Sequence, residues 1–169
     1  MSHSILHLPI LPILLPLLAG AAMLLLPEAR RGARAAIALC STLLQTGVAL
    51  ALLKLAGGGW PALWPDGIAV YTLGGWPAPF GIVLVADRLA AVMLALTALL
   101  ALAALVYALA RWDRMGPHFH PLFQFLLMGI NGAFLTGDLF NLFVFFEVLL
   151  IAFYALLLHG LGPQRVGAA

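Results

Sequence analysis

The chain has 169 residues, of which 64% are hydrophobic and 8% are charged, and its formal net charge is +2. Soluble domains carry about 25% charged residues, and a soluble core of this size could not bury so much apolar surface. The composition therefore indicates an integral membrane protein. It also excludes nucleic-acid binding, because the few basic residues are spread over short connections. The single cysteine, Cys40, excludes a disulfide framework and is expected in the core; no metal site or other cofactor is predicted.

Five apolar segments of membrane-spanning length follow one another along the chain, and we expect a helix in each. The first could instead be a secretory signal, but no Lys or Arg precedes its apolar part, which favours a retained span. The predicted fold class is an all-α polytopic membrane protein of about five transmembrane helices, forming a single domain over residues 1–169. The predicted spans are 5–26, 35–56, 87–110, 118–136 and 139–159.

The one long connection, residues 57–86, contains two short stretches rich in β-branched and aromatic residues, at 68–73 and 81–86. Glycines and prolines separate these stretches, which predicts a β-hairpin with a long turn. The tryptophans of this connection suit the membrane interface. A ligand site built from them is the alternative.

Basic residues are distributed unevenly between the two ends of the predicted spans. Six arginines follow the first, third and fifth spans, whereas only Lys54 and Arg88 lie on the opposite side. Because Lys and Arg in short loops favour the cytoplasm, the N-terminus is predicted to lie outside. The hairpin connection is then external.

One carboxylate, Glu147, lies near the centre of the fifth span. It follows Asp138 by nine residues, which is roughly 13 Å of helix. An ionisable side chain at that depth costs roughly 2.5 kcal/mol or more, so it normally faces a protein interior or a water path and takes part in moving protons or ions. The alternative is a carboxylate that holds helices together by hydrogen bonds. The sequence shows no obvious buried cation to pair with it, since Lys54 and Arg88 lie near span ends.

The fourth span carries His120, Gln124 and Asn131, whose spacing of four and seven residues puts them on one helix face. They either form hydrogen bonds between helices or line a hydrated half-channel that leads toward Glu147. The first interpretation is favoured, and Gln124 and Asn131 are kept as candidate path-lining residues.

Three further candidates for the path flank or follow Glu147. Asp138 is expected to cap the fifth helix, Tyr154 to be a core aromatic, and His159 to interact with the helix C-terminus. The alternatives are proton entry at Asp138, a hydrogen bond from Tyr154 toward Glu147, and a cytoplasmic proton relay at His159.

Three stretches of the sequence together suggest a family. They are YTLGGWPAPF at 71–80, PHFHPLFQF at 117–125 and GINGAFLTGDLFNLFVFFE at 129–147. The chain closely resembles the D-type subunit of the Mrp (Pha) multisubunit cation/proton antiporters. More broadly, it is similar to the antiporter-like proton-pumping subunits of respiratory complex I and of membrane-bound hydrogenases.

This resemblance implies a function and a role for Glu147. In the superfamily the matching glutamate of the fifth helix is a principal proton-transfer residue and interacts with a lysine on a later helix. Members have about fourteen helices arranged as inverted repeats, so a chain of five helices is expected to be a truncated fragment or the product of a split gene.

The leading hypothesis is thus the N-terminal portion of a secondary transporter subunit, not an enzyme, in a bacterial plasma membrane. It would exchange Na⁺ or K⁺ for protons together with the other subunits of its complex. One alternative is a membrane-arm subunit of an NADH-quinone oxidoreductase or hydrogenase. A second is a transport-inactive scaffold.

Overall fold

The computed structural model of the chain describes residues 7–59, 64–76, 81–116 and 118–159. Within these residues the chain forms five α-helices and one two-stranded sheet. The elements are a 3₁₀ turn at Leu8–Ile10 that leads into α1 (Leu11–Leu24), α2 (Arg31–Lys54), β1 (Ala69–Thr72), β2 (Val83–Ala86), α3 (Arg88–Ala110), α4 (Phe119–Leu135) and α5 (Leu139–Leu157).

Each of the five predicted spans overlaps one of these helices, so the predicted fold class is confirmed. Three helical segments are long and apolar enough to cross a membrane, namely Arg31–Gly58, Arg88–Ala110 and Leu139–Leu157. The helical segments Leu8–Leu24 and Phe119–Leu135 are also apolar but shorter. The second of these has 17 residues, which is at the lower end of the range of about 17–25 that spans a bilayer.

The predicted hairpin is also confirmed. β1 and β2 pair antiparallel with Tyr71 opposite Leu84, while the turn between them at 77–80 lies outside the described residues. Leu84 forms a β-bridge with Thr136, and the Gly137 N–H donates to the Val83 carbonyl at 2.8 Å. The hairpin is therefore bonded to the connection from which α5 begins.

The helices pack around α4, which lies against α5 on one side and against α1 on another. Close approach to α5 depends on glycine, because a Cβ at Gly129 would lie only 2.8 Å from the Leu149 backbone nitrogen. Small residues of this kind let helix backbones meet inside membranes. The remaining helix pairs in direct contact include α2 with α3 and α1 with α2.

Two expectations about α2 are wrong. Cys40 is exposed rather than part of the core, because it lies on the face of α2 that the other described helices leave open. The helix also begins at Arg31 rather than near residue 35, so Arg31 and Arg34 belong to its first turn and not to the connection before it.

Candidate functional site

Glu147 lies near the middle of α5. It follows Leu139, the first residue of this 19-residue helix, by eight positions, which is roughly 12 Å along an axis of roughly 28 Å. The side chain is exposed among the described residues. Outside the backbone hydrogen bonds of its own helix, no hydrogen bond or ion pair among the described residues involves the Glu147 side chain.

The face of α5 that carries Glu147 is almost entirely apolar and uncovered. In the most apolar stretch of each long helical segment, 11% is buried for α5, against 33% for the segment of α2 and 39% for α3. The residues one or two turns from Glu147 are correspondingly exposed, with values of 76% for Phe140, 62% for Phe143 and 68% for Ile151. The described residues therefore cover one side of α5 and leave the Glu147 side open, and the expected interior position is not formed by them.

Gln124 lies at the centre of a buried polar network between α4 and α2. Its Oε1 accepts hydrogen bonds from Ser41 Oγ at 3.0 Å and from Gln45 Nε2 at 3.1 Å. Its Nε2 donates to the Ala38 carbonyl and to Thr42 Oγ1, both at 3.2 Å. Every polar atom of the Gln124 amide is thus paired, which supports the interpretation of this residue as a link between helices.

Asn131 extends the network to α1. Its Nδ2 donates to the Pro12 carbonyl at 2.8 Å and to Gln45 Oε1 at 3.1 Å. The Pro12 carbonyl has no donor in its own helix, because the residue four positions later is Pro16, which lacks an N–H. Asn131 supplies that missing donor from another helix.

The polar face of α4 points away from Glu147. Gln124 and Asn131 contact α1 and α2, whereas Gly129 meets Leu149 of α5. The structure does not bring Gln124 or Asn131 next to Glu147. A path-lining role for them stays a prediction.

Asp138 caps α5, as expected. Its Oδ1 accepts from the Asn141 backbone N–H at 2.7 Å, and its Oδ2 accepts from the Asn141 side-chain amide. Burial alone would raise the pKa of the Asp138 carboxyl, but the hydrogen bonds from Asn141 and from nearby backbone groups outweigh it and hold this pKa below its usual value. The charged form is thereby favoured at the helix N-terminus.

Tyr154 and His159 lie in different surroundings. The described residues leave Tyr154 59% exposed on the Glu147 face, so they do not form the expected core position. His159 is 5% exposed just beyond the end of α5, where its Nε2 lies 3.3 Å from the Trp112 carbonyl oxygen. His159 therefore joins the end of α5 to the 3₁₀ turn Trp112–Arg114.

A second polar group, which sequence reasoning missed as a site, lies at the same end of the bundle as His159. Arg34 is 5% exposed and donates through Nη2 to the Leu26 carbonyl. His120 Nε2 lies 3.5 Å from Asp113 Oδ2. The expectation that the chain buries no cation is thus wrong for Arg34, although Arg34 does not lie beside Glu147.

A helical pattern in the sequence could have revealed the burial of Arg34. Starting from Arg34, the buried positions of α2 recur every three or four residues, a spacing that keeps them on one helix face. The buried residues of that series are Arg34, Ala38, Ser41, Thr42, Gln45, Ala49 and Leu52. The signal was missed because the helix was predicted to start after Arg34.

No protein-family model matches the chain. A probable K⁺/H⁺ antiporter protein of Rhizobium meliloti, a D-type subunit, is 58% identical over 162 residues, which are 96% of this chain and 30% of that protein. The N-type subunit of the NADH-quinone oxidoreductase of Desulforudis audaxviator is 40% identical over 171 residues, which are 96% of this chain and 32% of that protein.

The solved structure of the Mrp complex from Dietzia sp. contains a chain with the same fold. The TM-score is 0.76 at 29% identity, and the match covers 89% of this chain and 26% of that one. The chain therefore spans about a third or less of the length of the proteins it matches. The apolar helices and these relatives together make it a multi-pass membrane protein. By sequence and fold the chain matches the N-terminal 30% or so of D-type subunits of the multisubunit cation/proton antiporters.

Proposed function

We propose that the chain is the N-terminal portion of a proton-translocating subunit of a monovalent cation/proton antiporter. In this proposal Glu147 takes up and releases protons inside the membrane while Na⁺ or K⁺ moves in the opposite direction. Other subunits of the complex are its partners, and the arginine-rich helix ends face the cytoplasm. The observation that supports the proposal is an unpartnered carboxyl at mid-helix on the open face of α5.

An ionisable group at that depth cannot be left against lipid without cost. A charge at the centre of a spanning helix costs at least roughly 2.5 kcal/mol, and α5 offers Glu147 no partner among the described residues. The matched relatives are about three times as long as this chain. We therefore expect further protein to cover the open face of α5 and to place Glu147 in an interior.

The chemistry of Glu147 follows from such a position. Apolar surroundings favour the neutral, protonated form of a carboxyl, and an approaching cation favours the ionised form. A carboxyl that meets these two conditions in turn binds a proton and then releases it. The exposed apolar neighbours Phe143 and Ile151 would supply the apolar surroundings once they are covered.

The proposal is tested by exchange measurements on the complete antiporter complex in membrane vesicles. Cation-driven proton movement is followed with a pH-sensitive dye in wild type and in Glu147→Ala and Glu147→Asp. The alanine variant is expected to lose nearly all exchange, while the aspartate variant keeps a part because it retains the carboxyl. Asp66→Asn, a change of an exposed acid outside the helices, is the matched control. Wild-type exchange by an assembled alanine variant contradicts the proposal.

The runner-up is a membrane-arm subunit of a redox-driven proton pump. It is favoured by the 40% identity to an N-type subunit of an NADH-quinone oxidoreductase. The neighbouring genes distinguish the two functions. Genes for small antiporter subunits favour the antiporter, whereas genes for iron–sulfur or quinone-site subunits favour the redox-driven pump. A transport-inactive scaffold is a further alternative, and it predicts co-purification with partner subunits but no transport that depends on Glu147.

A further inference from the structure

A polar cavity lies at the end of the bundle where α1 and α3 end and α2 and α4 begin. Its volume is about 190 Å³. We call it the His120 cavity. Its ionisable lining residues are Glu28, Arg31, Arg34, Asp113, His118 and His120.

Four buried polar atoms on three of these side chains have no hydrogen-bond partner among the described residues. They are Nε of Arg34, Oδ1 of Asp113, and both ring nitrogens of His120. The 3.5 Å approach of His120 to Asp113 is an ion-pair contact when the imidazole is protonated, not a well-formed hydrogen bond. Because buried polar atoms are nearly always paired with protein or water, something must occupy this cavity.

The donors and acceptors that line the cavity determine which kind of molecule can occupy it. Arg34 Nε can only donate, whereas the Asp113 carboxylate can only accept. An anion would be repelled by Asp113 and Glu28, and a metal cation by Arg31 and Arg34. Water both donates and accepts, and the cavity has room for several molecules.

We infer that the His120 cavity is a hydrated proton-binding site in which His120 takes up a proton from cavity water and returns it there. On protonation a new N–H bond forms at the imidazole, and the imidazolium pairs with the Asp113 carboxylate. No electron transfer or other reactant is needed. The consequence of this proton binding is control of cation/proton exchange by pH, and that consequence rests on the proposed function.

The charged and titratable groups around His120 oppose one another. Asp113, from the turn after α3, favours the imidazolium, and Glu28, paired with His118 at 3.2 Å, adds a more distant negative charge at the rim. The cationic groups act in the other direction. They are Arg34 and Arg31 from α2 and, when protonated, the imidazoles of His159 from the end of α5 and of His118 at the start of α4.

The same turn links the cavity to the helix that carries Glu147. Asp113 belongs to the turn Trp112–Arg114, and the Trp112 carbonyl contacts His159 just after α5. The His159 ring also lies 5.3 Å from that of Phe119, the neighbour of His120. Protonation of His120 strengthens its attraction to Asp113. The stronger attraction pulls on the turn Trp112–Arg114, which contacts the end of α5 through His159. Gln124, one turn further along α4, does not line the cavity, and its amide is fully paired with α2.

The test measures exchange by the complete complex as a function of pH in wild type, His120→Gln and Asp113→Asn. Removing the carboxylate makes protonation of His120 harder, so Asp113→Asn is expected to move the acidic part of the pH profile to lower pH. The glutamine variant is expected to remove that part, changing the ratio of rates at pH 6 and pH 8 by about threefold or more. His7→Gln and Asp66→Asn are the matched controls, since both residues are exposed and lie outside the cavity.

A second measurement does not depend on exchange. Infrared difference spectra of the purified complex between pH 5 and pH 8 are expected to contain an imidazole signal that His120→Gln removes and His7→Gln retains. Variant profiles that superimpose on wild type, or the absence of that signal, overturn the inference. If Glu147→Ala keeps full exchange, the proposed function fails, and the infrared signal still decides whether His120 binds protons.

Discussion

The polar face of α4 and the Glu147 face of α5 differ in whether their polar side chains have hydrogen-bond partners. Both put hydrogen-bonding side chains into apolar helices. On α4 the Gln124 amide finds partners for both its oxygen and its nitrogen on α2, and the Asn131 Nδ2 donates to α1 and α2. On α5 the carboxyl of Glu147 finds none among the described residues.

This difference separates structural polar groups from functional ones. A neutral amide needs a fixed set of donors and acceptors, and once these are present it joins helices and does no more. A carboxyl that must change its protonation state cannot be held permanently by strong donors. In the proposed function, the carboxyl of Glu147, which has no partner among the described residues, takes part in proton transfer, and further protein packs on its apolar face.

The largest expected effect comes from neutralising the carboxyl while keeping its shape. Glu147→Gln in the complete complex should lower the exchange rate by about a hundredfold or more, because an amide cannot carry a proton in this way. The unfolding temperature should stay within a few degrees of wild type, since the described residues give Glu147 no partner to lose. Exchange in vesicles and thermal unfolding of the purified complex are the two measurements. A large drop in unfolding temperature with little loss of exchange would mean that Glu147 is structural.

The opposite outcome is expected on α4. Gln124→Leu should destabilise the complex by about 2 kcal/mol, because it removes the 3.0 Å acceptor of the buried Ser41 hydroxyl and one of the two acceptors of Gln45 Nε2. Exchange per folded complex should change little. Thermal unfolding checks the first expectation, with Thr46→Val as control, since among the described residues the Thr46 hydroxyl donates only to the Thr42 carbonyl of its own helix. Equal losses of stability in Gln124→Leu and Thr46→Val would show that the network contributes no more than an ordinary hydrogen bond.

Asn131 offers a sharper test through its bond to Pro12. Asn131→Leu should cost about 1 kcal/mol, the typical value of a hydrogen bond between membrane helices. Pro16→Ala restores an N–H that can donate to the Pro12 carbonyl within α1, so the Asn131→Leu change should cost less in a Pro16→Ala background. A double-mutant cycle on the unfolding free energy measures this coupling. Strict additivity would show that Asn131 does not compensate for the proline.

The sequence predicted the parts of this fold that follow from local pattern. Hydropathy located all five helices, and the β-branched stretches located both strands of the hairpin. The cap at Asp87 follows from the same kind of signal, since its carboxylate precedes the apolar run of α3 and accepts from the Ala90 N–H at 2.7 Å.

The parts that failed depend on contacts between helices. The periodicity of α4 showed that Gln124 and Asn131 share a face, but it could not show that the face meets α2 and α1 rather than α5. The buried cluster of Arg34, Asp113 and His120 comes from three separate elements and has no local motif. For Glu147 the depth along the helix could be predicted, whereas the described residues leave the side chain exposed and do not form its surroundings.

Asp138 caps the hairpin end of α5, and its expected effect is as small as that of Asn131. Asp138→Ala should destabilise the complex by about 1 kcal/mol through loss of the helix cap. Because the folded pKa of Asp138 lies below its ordinary value of 3.8, the charged carboxyl stabilises the fold above that value, and this benefit is lost as the pH falls through the folded pKa. The difference in unfolding temperature between wild type and Asp138→Ala should therefore shrink below about pH 4. Asp138→Asn keeps a capping oxygen without a titratable charge, so it should be milder than alanine near neutral pH. A difference between wild type and alanine that stays constant down to about pH 3 would show that the cap acts through shape alone and that charge at the start of the Glu147 helix plays no part in its stability.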